Sequence, residues 1–166
     1  MGQRIDENEL TTMLDEIWSK MQSDMAAIKE ELESEGYRVL DIRSKQVSLE
    51  QIENHLGFVV TVESESKAKE LLRVLRSGLR GTLSVEFGLN KKLAVFVITI
   101  KYPDKRWALL YSVYYHIDRE PLIKEGGKQG LFTFFKTKSR GLVGWISMGS
   151  HQLYLYSRYI DPSGKL

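Results

Sequence analysis

The 166-residue chain predicts an α+β fold: a long N-terminal amphipathic helix, one further helix, and a largely antiparallel sheet of about six to eight strands. Three observations lead there. Residues 6–35 keep a helical apolar rhythm with no Pro and no interior Gly. The chain from residue 82 onward is almost all strand pattern. The strand runs there are separated by short turns, which make consecutive strands antiparallel neighbours.

The first helix is read over residues 6–35. Asp6 is placed to cap it, with Glu7 and Glu9 in its first turn, and Gly36 supplies the stop. Leu14, Trp18, Met21, Met25, Ile28 and Leu32 follow at spacings of four and three, close to a heptad seam. Leu10, Met13 and Ile17 widen the stripe in the first half. A wide stripe suits packing on the chain's own sheet, whereas the narrower second half suits a partner helix. The six seam residues are therefore candidates for a homodimer interface.

Strand signals follow at Tyr37–Ile42 and Phe58–Val62, with residues 43–57 ambiguous between a short helix and a strand. The second helix is read from Ser66 to Ser77 on Ala68, Leu71, Leu72, Leu75 and Leu79, and ended by Gly78 and Gly81. Thr82–Phe87, Leu93–Tyr102 and Trp107–Ile117 are read as strands, with Pro103 opening the turn between the last two. Leu93–Ile100 is apolar on both faces and so belongs at the centre of a covered sheet. Asp118–Gly130 holds Pro121 and Gly126, Gly127 and Gly130, and reads as a loop. Leu131–Lys138, Leu142–Met148 and Gln152–Ile160 complete the strands. So many strands would tend to curl or split into two packed layers.

The division proposed is an acidic helix, 1–36, before a basic α+β body, 37–166, within one domain. Residues 1–36 carry a net charge of −7, residues 37–100 carry +3 and residues 101–166 carry +6, within a whole-chain charge of +2. Such asymmetry points to polyanion binding, or to acids that merely solvate a helix. Removing residues 1–36 should then strengthen polyanion binding, provided the remainder folds.

With no Cys, disulfides, thiolate metal sites and a Cys nucleophile are excluded. The three His are widely spaced. No cofactor and no metal are expected. No apolar run approaches the roughly 20 residues of a membrane helix, and Asp6 breaks the myristoylation pattern. A cytoplasmic protein with no membrane partner is expected.

Two surfaces could meet nucleic acid. On the second helix Lys69, Arg73, Arg76 and Arg80 form a basic stripe about 60° wide at 100° per residue. The late strands pair aromatics with bases: Phe132, Phe134, Lys136 and Lys138 on one face, Arg140 in the next turn, and Tyr154, Tyr156 and Arg158 on one face of the last strand. Bases of single strands stack on such rings while phosphates track the cations. Cations near a helix end and aromatics in strands also have purely structural uses.

Asp41 at a strand end, with Glu63, Glu65 and Lys67 after the next clear strand, loosely matches the carboxylate and Lys set of restriction-endonuclease-like nucleases. The leading expectation is a non-enzymatic, self-associating protein that binds DNA or RNA. The alternatives are a protein–protein interaction module without nucleic acid, and a metal-dependent nuclease.

Overall fold

A computed structural model describes residues 7–148 apart from 78–79 and 91. The cap at Asp6 and the strand read at Gln152–Ile160 lie outside the described residues. The elements in chain order are α1 (Glu7–Ser34), β1 (Arg38–Ile42), β2 (Val47–Ile52), β3 (His55–Thr61), α2 (Glu65–Arg76), β4 (Thr82–Asn90), β5 (Leu93–Tyr102), β6 (Trp107–His116), α3 (Glu120–Gln129), β7 (Phe132–Thr137) and β8 (Gly141–Ser147).

The fold is α+β, and among the described residues eight strands divide into two four-stranded sheets. Sheet A has the order β1-β6-β5-β4, and sheet B the order β2-β3-β7-β8. Among the described residues four of the six strand pairings are antiparallel, as expected, and both sheets are mixed: β1 runs parallel to β6, and β3 parallel to β7. Tight turns constrain only consecutive strands. β1 and β6, and likewise β3 and β7, are separated by long stretches containing helices, and such connections permit parallel pairing.

α1 ends in a Schellman motif. Gly36 takes φ +91°, the Gly36 N–H donates to Glu33 O, and the Tyr37 N–H donates to Leu32 O, each at 3.0 Å. The helix lies on the outer face of sheet A. Leu14, Ile17 and Met21 pack with Leu93, Val95 and Tyr114; Met25 packs with Val97 and Leu110, beside Ile28 and Val39. Leu32 is buried and Trp18 half-buried, under the Lys45 ammonium. The seam read as a dimer interface therefore meets the chain's own β5 and β6.

Between the sheets lies the main core. Phe96, Ile98, Leu109 and Tyr111 of sheet A face Phe58, Val60 and Phe135 of sheet B, and α2 adds Ala68 and Leu71. β5 is central and buried on both faces, as its pattern requires. A buried hydrogen bond ties the layers: the Tyr111 and Thr133 hydroxyls lie 2.8 Å apart. Burial pushes the Tyr111 phenol up, so it stays neutral there.

α3 corrects the loop reading of 118–130. Pro121 sits in its first turn, where a missing N–H costs nothing. Ile123 is fully buried as the anchor. Residues 43–57 resolve into β2 and the hairpin to β3, with Glu53 at φ +56° in its turn.

Candidate functional site

Strand alternation decides which side chains of sheet B turn away from sheet A. Thr133 and Phe135 point into the core, so Phe132, Phe134 and Lys136 point outward. Register then extends that outer face: Trp145 pairs with Phe134, Ser147 with Phe132, and Val59 with Phe134 from the other side. An irregularity at Phe135/Lys136 shifts the register and pairs Leu142 with Lys136, which brings Leu142 to the same face.

The result is an aromatic row. The Phe132 and Phe134 rings stack at 5.8 Å and 15°, and the His55 ring lies 4.6 Å from Phe132. Gly57 makes room for it, because a Cβ there would lie 2.6 Å from the Phe134 ring. Trp145 is 60% exposed and Leu142 49%, Phe132 is half-buried, and Phe134 at 5% forms the floor. Lys136, Lys138 and Arg140 are exposed at the end of this row.

α2 carries Lys69, Arg73 and Arg76, all exposed. Arg80 lies beyond the helix, which stops at Arg76, so the helical stripe has three cations and not four. Ser64 caps the helix by accepting from the Lys67 N–H. At its start Glu65 accepts from the Ser139 hydroxyl at 2.7 Å and pairs with Arg140 at 3.7 Å. Further along, Leu75 fills the space beside Gly144, where a Cβ would lie 2.6 Å from its methyl. Gly144 pairs with the inward Phe135, so α2 meets β8 from the core side while Trp145 points outward, and the two surfaces read separately from sequence lie on opposite sides of this strand at the edge of sheet B. Tyr154, Tyr156 and Arg158 lie outside the described residues.

The acidic set does not assemble. Lys67 does reach Asp41, donating to its backbone O at 2.6 Å and lying 3.6 Å from its carboxylate. Arg43 pairs with the same carboxylate at 2.9 Å and Lys29 of α1 at 3.4 Å. Glu63 is exposed, and Glu65 is engaged with the β7–β8 turn. Among the described residues no group of three His, Asp or Glu could hold a metal ion. Asp41 is a structural junction of α1, β1 and α2.

Burial alone would push Asp41 up; Lys67, Lys29 and Arg43 outweigh it and hold the carboxyl below its ordinary 3.8. A lowered carboxyl contributes stability that is present above the unfolded value and lost as pH falls through the folded one. Asp41→Asn should therefore cost about 1–3 kcal/mol near neutral pH, since three cations lose their shared partner. Urea melts of both proteins across pH should show that difference shrinking below about pH 4. A difference independent of pH would remove the charge network as its cause.

His116 is local: its Nδ1 accepts from the Asp118 N–H at 3.2 Å, capping a turn. Among the described residues a small pocket of about 40 Å³ lies against α2, lined by Arg38, Glu70, Arg73 and Trp107, and a groove of about 210 Å³ lies between α1 and β4, rimmed by Lys20, Asp24 and Glu86. Trp145, Leu142 and His55 were missing from the sequence reading of the aromatic face. For Trp145 the signal was available, because alternation from an inward Ile146 already turns it outward.

Among the described residues no helix is long and apolar enough to cross a membrane. No curated protein and no solved structure matches the chain. One family model matches residues 3–155, a span that takes in every element described, and the chain belongs to that family, a family of unknown function (DUF7529).

Proposed function

We propose that this protein is a non-enzymatic nucleic-acid-binding protein that holds its ligand on the outer face of sheet B. One observation carries the reading: an exposed Trp145 beside the stacked Phe132 and Phe134, with Lys136, Lys138 and Arg140 at the end of the same row. A large indole left in water is costly unless something covers it. Flat rings beside flexible cations match a base and its phosphate. Such recognition has little sequence preference, because every base offers a π face. A homodimer through the α1 seam is not part of this reading, since those side chains are buried on sheet A.

The acidic α1 lies on the opposite layer from this face, so its charge opposes binding only at long range. Deleting residues 1–36 is the wrong test, because it would uncover Leu93, Val95, Val97 and Leu110. Glu30→Gln with Glu31→Gln leaves the packing intact, and should raise affinity slightly at low salt and not at high salt.

The direct test is fluorescence anisotropy with a labelled twelve-residue thymidine strand at two salt concentrations. Trp145→Ala should weaken binding by about 1–3 kcal/mol, the cost of one stacked base. Lys136→Ala with Lys138→Ala should lower the salt slope by about 1.4, at roughly 0.7 per phosphate contact on a single strand. If neither variant changes binding, or no complex forms at low salt, the face serves another partner and the protein-interaction alternative takes over.

A further inference from the structure

We infer that the nucleic-acid face does not end at β8 but continues over it onto α2, so that the ligand is a single strand long enough to reach the Lys69, Arg73 and Arg76 stripe. This rests on the reading above and adds the ligand's form, its length and a second contact surface. The observation behind it is the placement of α2 along β8. Glu65 at the start of the helix holds Ser139 and Arg140 of the β7–β8 turn, and Leu75 near its end packs at Gly144. The helix thus lies under the core side of β8 from the β7–β8 turn to Gly144, and a ligand on the outer face reaches it only around the edge of this strand.

Rotation about the helix places the cations. At 100° per residue, Arg76 and Lys69 lie about 20° and 40° around from Glu65, and Arg73 about 80°. Glu65 is the residue that meets the β7–β8 turn, so the stripe begins at the β8 flank and opens to solvent. On the far flank Arg38 is paired with Glu70 at 3.0 Å and Lys67 with Asp41. Among the described residues Lys69, Arg73 and Arg76 have no such ion pair. Glu65 is the acid between the two surfaces, and it is already taken up by Arg140 and Ser139, where it positions the turn.

The path bends around a sheet edge, and this decides the ligand. Duplex DNA is stiff over about 150 base pairs and keeps its bases stacked inside, away from Trp145 and Phe132. A single strand can lay bases on the rings and turn its backbone over β8 toward α2. From the aromatic row to the stripe is on the order of 15–20 Å, given ~4.8 Å between strands and ~10 Å between packed layers. Even unstacked, the inter-nucleotide phosphates of a four-residue strand span less than this distance, and those of a twelve-residue strand exceed it.

The experiment uses the full chain with thymidine strands of four and twelve residues and a twelve-base-pair duplex, read by anisotropy, with circular dichroism melts confirming that each variant is folded. Arg73→Ala with Arg76→Ala should lower affinity for the twelve-residue strand about tenfold and its salt slope by about 1.4. The same variant should leave the four-residue strand within twofold, whereas Trp145→Ala should weaken both strands. If the α2 variant changes neither strand while Trp145→Ala still weakens both, the continuation onto α2 is wrong and the sheet B reading stands. If Trp145→Ala changes neither, the reading itself fails. Equal affinity for strand and duplex would overturn the single-strand assignment.

Discussion

Replacing Ile98 with Ala should lower the free energy of unfolding by about 2–5 kcal/mol in urea melts, with little change in m value. Ile98 is fully buried on the inner face of β5, opposite Val85 on β4 and Tyr111 on β6. Central strands leave little room for collapse, because both neighbours are held by hydrogen-bond ladders and sheet B closes over them. Removing three carbons therefore loses burial and leaves a cavity. Val85→Ala, on the strand at the end of sheet A, should cost less. A loss below about 1 kcal/mol at Ile98 would mean that the layer can close over the gap.

Met25→Glu should have a still larger effect. Met25 is 1% exposed between α1 and the outer face of sheet A. Truncating it to Ala should cost about 2–5 kcal/mol, and placing a carboxylate there adds the penalty of burying an unpaired charge. α1 would come away from Val97 and Leu110, so the thermal transition should fall sharply and the protein should aggregate. Calorimetry with light scattering checks this. A variant of unchanged melting temperature whose mass alone falls by half would return the seam to a dimer interface, as the heptad spacing by itself suggests.

The helical seam shows where sequence reading stops. Spacings of four and three identify α1 and its apolar face, but a sheet and a partner helix make the same demand on that face. What covers it depends on residues far along the chain, Leu93, Val95, Val97, Leu110 and Tyr114, which only folding brings beneath it. The candidate site behaves in the same way. Phe132, Phe134, Lys136, Lys138 and Arg140 were legible from alternation. His55 was not, because its place beside Phe132 depends on the parallel pairing of β3 with β7. The contact of Glu65 with Arg140 joins positions 75 residues apart and has no local signal at all.

Local chemistry was enough wherever the constraint lies within a few residues. Gly36 ends α1 because only a residue free of Cβ crowding takes its positive φ readily. Leu93–Tyr102 is central because no strand apolar on both faces can stand at a solvated edge. The turn at Pro103 places β6 beside β5. Tertiary structure decided the rest. It split the strands into two mixed sheets, and it folded 120–129 into α3 by burying Ile123. It made Asp41 a junction of three cations, and it laid α2 against β8. Each of these depends on pairing or burial between distant segments. Such contacts leave no period in the sequence, because their energy comes from apolar area and charges that meet only once the chain has closed.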